Sequence, residues 1–293
     1  MTWLLVTLHV LAVLLALWCF LTAPNLFRRK YTHRQLTDYD FAHRGLHDLK
    51  RKVPENSLAA FERAVREGYG IELDVRETRD HVLVVHHDET LERSCGDPRR
   101  VCDVPLAELQ QLPLFGTDEH IPTFDEVLAL VDCRAPLIVE LKTDFYNKAL
   151  PEKVYERLRR YPGVYCIESF DPMAVRWFKK RAPGVVRGQL AFMDDFKAKR
   201  FTFSEKLKRV CLGYLLIDFL GRPDFIAYGY KTDANISYRF VADVFRPLLV
   251  AWTVRDEETY RKLQEEYDIQ IFECFRARRA LPQKYSQSGR NES

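Results

Sequence analysis

The sequence predicts an α/β protein: a (β/α)8 TIM barrel preceded by one N-terminal transmembrane helix. Two observations lead there. The chain begins with an uncharged apolar run, and from about Asp38 it alternates short β-branched or apolar stretches with amphipathic ones. Strand-then-helix order, repeated, implies a parallel sheet, and eight or so strands over about 260 residues favour a closed barrel above an open doubly wound sheet. No glycine-rich dinucleotide fingerprint follows the first strand, which weakens the open-sheet alternative further.

The N-terminal run, "WLLVTLHVLAVLLALWCFLTA" from Trp3 to Ala23, carries no formal charge. At ~1.5 Å per helical residue it reaches ~31 Å, about one bilayer core. A cleaved signal peptide is the rival reading. Against it stand the length of the run, the lack of a basic segment before it, and the lack of a clear small-x-small cleavage site. Arg28, Arg29, Lys30 and Arg34 follow the span and no Lys or Arg precedes it, so the positive-inside rule places the large domain in the cytoplasm on a single-pass cell-membrane anchor. His9 is expected to be a neutral side chain tolerated within the span.

The strands are expected in "YDFAHRG", "GIELDV", "VLVVHH", "APLIVELKT", "GVYCIESF", "GVVRGQL", "DFIAYGY", "LLVAWTV" and "IQIFECF". Helices are expected in "NSLAAFERAVREG", "TFDEVLALV", "KALPEKVYERLRRY", "DPMAVRWFKKRA", "ISYRFVADVFR" and "RDEETYRKLQEEY". Asn56-Ser57 reads as a helix N-cap and Gly68 as the stop of the same helix. The organisation that follows is an anchor with its basic flank over 1–30, a barrel over 38–280 with an insertion at about 88–122, and a disordered polar tail over 281–293. A second break in the alternation, 191–214, mixes Phe with Lys and Arg. It reads as a helical insertion, either solvated or lying near the membrane surface.

Composition narrows the function. The chain of 293 residues is 47% hydrophobic, with 45 basic against 42 acidic residues and a formal charge of +3. That is enough apolar chain for a full core, and no basic domain stands apart for nucleic acid. The seven cysteines are scattered and form no CxxC pair, which argues against a disulfide framework or a zinc knuckle and for reduced thiols. Cys95 and Cys102 flank a turn and are the one pair that could bridge in an oxidising compartment.

In a parallel barrel the reacting groups stand at the C-terminal ends of the strands. His43 and Arg44 end the first strand, Glu72 and Asp74 the second, His87 and Asp88 follow "VLVV", and Glu140 and Lys142 end "LIVELK". Residues at i and i+2 of a strand share a face, so Glu72 and Asp74 could grip one ion, and hard oxygen ligands suit Mg2+ or Ca2+ better than zinc. Taken singly, each of these groups is equally consistent with a solvated strand end or a local ion pair; their common location at one end of successive strands favours a site.

"AHRGLHDLKRKVPENSLAAFERAVREGYGIELDVRETRDHVLVVHHDETLERSCG" resembles the opening block of the glycerophosphodiester phosphodiesterase family. It has the HRG, the PEN-[ST] before an AF-containing helix, the E-x-D pair, the HD and a trailing L-x-R. "PTFDEVL", "IVELKT", "ESFDP" and "VAWTV" extend the resemblance over most of 39–275, toward membrane-anchored or bacterial-type members. It implies a barrel that hydrolyses glycerophosphodiesters to glycerol 3-phosphate and an alcohol with one divalent cation. Carried onto this chain, Glu72, Asp74 and Glu140 would be the metal ligands, and His43 and His87 the acid-base pair. Arg44 and Lys142 would bind phosphate oxygens, and Glu72 would also reach the glycerol hydroxyl. The nucleophile would be the substrate's own 2-hydroxyl, giving a cyclic phosphate that water opens.

His86, of opposite strand parity to His87, is expected in the barrel wall. Glu273-Cys274 stands where the family usually has a small polar pair, which puts the last strand's contribution in doubt. Phe225, Tyr228 and Tyr230 are expected either at the glycerol or head group or in the core. The partners expected are the membrane and a small glycerophosphodiester or lysophospholipid. Two other functions stay open: lysophospholipase D or phospholipase C-like cleavage of a lipid, and a catalytically silent barrel that binds lipid phosphate.

Overall fold

The computed structural model describes residues 2–27, 30–143, 147–193, 201–232 and 234–277. Arg28 and Arg29 of the basic flank, 194–200 of the second insertion and the 281–293 tail lie outside the described residues.

Among the described residues nine strands form the sheet: β1 (Phe41–Ala42), β2 (Gly70–Glu77), β3 (Leu83–Val85), β4 (Leu137–Leu141), β5 (Tyr165–Ser169), β6 (Arg187–Ala191), β7 (Phe225–Gly229), β8 (Leu248–Val254) and β9 (Ile269–Phe272). Their order, β1-β9-β8-β7-β6-β5-β4-β2-β3, closes through a further β1–β2 pairing, and every pair around the ring is parallel. The expected barrel is therefore present. β3 departs from the expectation of simple strand-helix repetition. It pairs antiparallel with β2 (Val75↔Val85, Glu77↔Leu83), because β2 overshoots the ring and folds back as a hairpin. β1 reaches only the start of β2, at Gly70 and Ile71, so β3 takes the pairing that β1 leaves at the upper part of β2.

The helices are α1 (Thr2–Thr22), α2 (Lys30–Thr37), α3 (Leu58–Arg66), α4 (Glu92–Cys95), α5 (Leu106–Leu109), α6 (Phe124–Val131), α7 (Leu150–Leu158), α8 (Pro172–Arg181), α9 (Phe203–Gly213), α10 (Asp218–Gly221), α11 (Ile236–Phe240) and α12 (Glu257–Leu263). Half of them start at side-chain caps that satisfy otherwise orphaned N–H groups. Ser57 accepts from Ala60, Asp171 from Met173 and Asp256 from Thr259, and Thr123 and Thr202 form capping boxes with Glu126 and Glu205. The cap of α3 is thus Ser57 alone.

Strand parity divides the core. Ile71, Leu73, Val75, Leu137, Val139 and Leu141 face the helices in the larger cluster. Phe41, Ile138, Cys166, Phe225, Val250 and Ile271 fill the barrel interior toward the strands' N-terminal ends, here the floor. Leu36 of α2 packs into that second cluster, so α2 plugs the floor before β1 begins. At Gly188 the Phe225 ring lies where a Cβ would stand, which is why β6 carries a glycine there. The 88–122 stretch holds α4 and α5 and a small core of its own, including Leu91, Val101, Val104, Leu109, Leu114 and Ile121 behind Val84 of β3. All seven cysteines, Cys95 and Cys102 among them, are free thiols.

Candidate active site

With apolar side chains filling the interior near the floor, the polar inward-facing residues collect at the C-terminal ends, the mouth. β2 and β4 pair Asp74 with Glu140, and Glu72 shares the inward face with Asp74. All three are buried, and each offers an oxygen within 4.8 Å of the others. Sequence reasoning missed a fourth acid, Glu168, paired in register with Glu140 on β5, buried, and with an Oε2 that has no hydrogen-bond partner. Applying the strand-end rule to "CIES" would have found it.

Three polar groups from other segments meet these acids. Lys142 Nζ lies 2.6 Å from Glu140 Oε1 and 3.1 Å from Asp74 Oδ1. Arg44 places its Nε 3.5 Å from Asp74 Oδ2 and its Nη1 2.7 Å from Glu55 Oε1, and its backbone N–H donates to Glu72 Oε2 at 3.0 Å. Asn56 Nδ2 donates to Asp74 Oδ2 at 2.8 Å, so Asn56, expected as part of a helix cap, is a partner of the acid cluster. The loop that brings Arg44 and Asn56 here uses left-handed backbone at Arg44 (φ 54), Gly45 (φ 79) and Asn56 (φ 54). A Cβ on Gly45 would stand 2.9 Å from Ala60 and Phe61, so the HRG turn needs glycine both for its φ and for its approach to α3.

The electrostatics of the cluster are split. Burial, Asp74, Glu140 and Glu168 push Glu72 well above the usual carboxylate range. Burial also raises Glu140, against the pull of Lys142. Asp74 lies well below its ordinary value: burial pushes it up, but Lys142, His87, Arg44 and the Asn56 hydrogen bond prevail. Four buried carboxylates thus face two nearby cations, and Glu168 Oε2 is buried without a hydrogen bond. Such a set of hard oxygens, short of positive charge, fits a divalent cation of the Mg2+ or Ca2+ type.

His43 and His87 stand at the same mouth, each with a carboxylate on Nδ1. Glu273 Oε2 lies 2.6 Å from His43 Nδ1, and Asp88 Oδ1 lies 2.6 Å from His87 Nδ1. A carboxylate accepts, so Nδ1 carries the proton and Nε2 is left free in the neutral rings. Burial, with Arg44, lowers the His43 imidazole below its ordinary value against the opposing pull of Glu273. His87 does not close a barrel strand, as the sequence suggested. It returns to the mouth because β3 runs back down β2, where the His86 N–H donates to the Asp74 carbonyl. His86 is buried, with Nδ1 on the Asp88 carbonyl at 2.9 Å and Nε2 on Ser94 Oγ at 2.8 Å.

The departure at the last strand is resolved by the same geometry. Glu273 follows β9 and holds His43 through Oε2, which His47 approaches at 3.7 Å, while Arg255 donates to Oε1. Burial pushes Glu273 up, but the His43 hydrogen bond, with His47 and the Arg255 charge nearby, holds it well below its ordinary value. Phe225 and Tyr228 are core residues, and Tyr230 is partly buried beside the larger cluster. Beginning two residues past Glu168 and continuing round the mouth, Phe170, Phe192 and Trp252 of the β5, β6 and β8 ends meet edge to face at 5.6 to 5.8 Å. Trp252 Nε1 is buried there without a partner. The site is therefore a mouth with one charged wall and one aromatic wall.

Residues 43–270 match the glycerophosphoryl diester phosphodiesterase family. A glycerophosphodiester phosphodiesterase of Caldanaerobacter subterraneus subsp. tengcongensis is 39% identical over 160 residues, 51% of this chain and 65% of that one. The match thus spans just under two thirds of that relative's length. Among solved structures, a glycerophosphodiester phosphodiesterase from Thermotoga maritima has a TM-score of 0.60 at 26% identity, covering 80% of this chain and 94% of that one. An Oleispira antarctica phosphodiesterase in complex with the product sn-glycerol-3-phosphate has a TM-score of 0.65 at 23% identity, covering 82% and 94%.

Proposed function

Because the chain belongs to the glycerophosphoryl diester phosphodiesterase family, we propose that it hydrolyses glycerophosphodiesters to sn-glycerol 3-phosphate and an alcohol with the help of one divalent cation. The observation that carries this is the meeting, in one mouth, of the Glu72/Asp74/Glu140 oxygens with two histidines that each hold a carboxylate on Nδ1.

Glu72, Asp74 and Glu140 are the residues that hold the cation. Mg2+ or Ca2+, when bound, neutralises anionic phosphate oxygens that would otherwise repel an oxygen nucleophile. Arg44 and Lys142 add to that neutralisation. Arg44 is held beside the acids by Asp74 and Glu55, which fixes its guanidinium where an anionic oxygen can pair with it. His43 and His87, each with a free Nε2, act in opposite senses: one takes the proton of the attacking hydroxyl and the other supplies one to the leaving alcohol. Glu273 and Asp88 hold the rings in the required tautomer. The aromatic wall of Phe170, Phe192 and Trp252 faces the non-phosphate part of the substrate and excludes water from that side.

In this reading residues 1–30 are a membrane anchor and 38–280 the catalytic barrel, on the cytoplasmic side of the cell membrane. The test is the purified full chain with glycerophosphocholine and glycerophosphoethanolamine, products identified by mass. Turnover that stops with EDTA and returns with Mg2+ or Ca2+ supports the proposal. No cation-dependent release of glycerol 3-phosphate from either diester overturns it.

A further inference from the structure

The apolar helix and the mouth point the same way. After α1, the chain crosses the floor: the Asn25 N–H donates to the Pro223 carbonyl and Asn25 Nδ2 to Asp224 Oδ1, just before β7 begins, and α2 then plugs the floor. Moving back along α1, Arg222 Nη1 donates to the carbonyls of Ala23 and Phe20 and its guanidinium lies 4.8 Å over the Phe20 ring. One turn further back, Trp18 stacks on Phe240 at 4.4 Å and donates to Ser237 Oγ, which in turn donates to the Tyr214 carbonyl. Ser237 and Tyr214 belong to the mouth side: α11 starts just after β7 ends, and Gly213 abuts Met193 and the Phe192 carbonyl past the end of β6. So α1 climbs the outside of the barrel from floor to mouth, and residues 2–17, all exposed, project beyond the mouth.

That projecting part is short. Residues 2–17 reach ~24 Å at ~1.5 Å per residue, whereas a hydrocarbon core is about 30 Å thick. If the helix spans, the lipid must come down to Trp18, and the mouth rim then sits at head-group depth. The rim suits that position. Outside α1, the exposed large apolar side chains Leu49, Met173, Phe203, Leu207 and Ile236 stand on segments that follow the mouth ends of strands, with Lys206, Lys208 and Arg209 beside them on α9; Leu26, Phe27 and Val244 lie toward the floor. A mixed apolar and basic rim is the pattern that binds an anionic lipid surface.

We propose that the barrel docks mouth-down on the bilayer, with α1 inserted and α9 in the interface, and takes an amphiphilic glycerophosphodiester from the lipid surface. The substrate half rests on the phosphodiester hydrolysis proposed above; the docking half does not. The reaction is unchanged: the elements of water add across the P–O bond to the head-group alcohol, phosphorus keeps the oxygen, the departing alcohol takes the proton, and the acyl chain is untouched. Phe170, Phe192 and Trp252 offer that substrate an apolar wall at the lipid-facing rim.

The experiment uses the full chain in nanodiscs of phosphatidylcholine and phosphatidylglycerol. A photoreactive p-benzoylphenylalanine replaces Phe203 at the rim or the exposed Glu265 ahead of β9 at the floor. Lipid adducts at position 203 and none at 265 are expected; equal adducts, or adducts at 265 alone, overturn the orientation. In parallel, the Phe203→Glu/Leu207→Glu double variant is compared with the parent on vesicle-borne lysophosphatidylethanolamine and on soluble glycerophosphoethanolamine. A fall of ~10-fold or more on the first with little change on the second is expected from losing interfacial anchoring, and equal effects on both overturn the substrate half. Turnover of neither diester by the parent would sink the hydrolysis reading, while the adducts would still decide the docking.

Discussion

Glu273 Oε2 lies 2.6 Å from His43 Nδ1, a contact between the last strand and the first that spans the closure of the barrel. It assigns the His43 proton to Nδ1 and leaves Nε2 for the substrate, 4.0 Å from Glu72 Oε2. Replacing Glu273 with Gln keeps the shape and removes the charge. We expect hydrolysis of glycerophosphoethanolamine to fall by roughly 10²-fold or more, the scale for losing a histidine's orienting carboxylate. Nitrogen NMR of the His43 ring reads the cause, since the Nδ1–H tautomer should lose its dominance. An unchanged tautomer with a large rate loss would argue against this role.

Asn56 and Ser57 are neighbours with separate tasks, which gives a paired test. Ser57→Ala removes the α3 cap and should cost about 1 kcal/mol of stability without changing cation affinity. Asn56→Ala strips a hydrogen bond from the buried Asp74 carboxylate, at about 1–3 kcal/mol. It should also weaken Mg2+ or Ca2+ binding by about 10–100-fold, as other partners of metal ligands do. Calorimetric titration of both variants with the ion separates the two outcomes, and equal ion affinity in both would contradict the part assigned to Asn56.

The barrel was legible because most ring strands are short apolar runs followed by an amphipathic helix, and the gathering of Glu72 and Asp74 because i and i+2 share a face. "VLVV" misled because a buried antiparallel strand and a buried parallel strand have the same composition; only pairing distinguishes them. Glu168 and Glu273 were within reach of the strand-end rule, since both sit at or just past a strand's C-terminal end. Asn56 was not: its cap-like sequence context says nothing of a left-handed φ that turns it toward Asp74, 18 residues on. The direction of α1 was likewise invisible, because it depends on Arg222 and Ser237, contacts made some 200 residues away.

Gly188 faces the Phe225 ring across β6 and β7 and stands in register with Glu168 of β5. Gly188→Ala should overpack that layer and cost about 1–3 kcal/mol, read as a lower denaturation midpoint with an unchanged slope. Activity measured well below the midpoint should stay near the parent's, since Glu72, Asp74, Glu140 and both histidines stand on or just past other strands and only Glu168 pairs with Gly188. A loss of turnover without a loss of stability would show that this layer and the mouth are coupled.

Acid should weaken the fold through two groups in successive windows. His86 is held neutral, lowered to about 4 by burial and by Arg76, while its unfolded value is near 6.5. The unfolded chain therefore binds the proton first, and stability present above pH 6.5 declines as pH falls toward 4, by about 3 kcal/mol in all. Glu55 follows. Burial pushes it up, but hydrogen bonds and charge from Arg93 and Arg44 prevail and hold it at about 2 against an ordinary 4.5. Its contribution, complete above 4.5, is lost between there and pH 2. Urea denaturation of the folded protein as a function of pH should show the first decline already at pH 5.5. His86→Gln should flatten the 6.5-to-4 segment, while Glu55→Gln should make the lower segment shallower without abolishing it, since Asp74, Asp88 and Glu273 are also held below their ordinary values; a pH slope that neither variant alters would refute the assignment of these two groups.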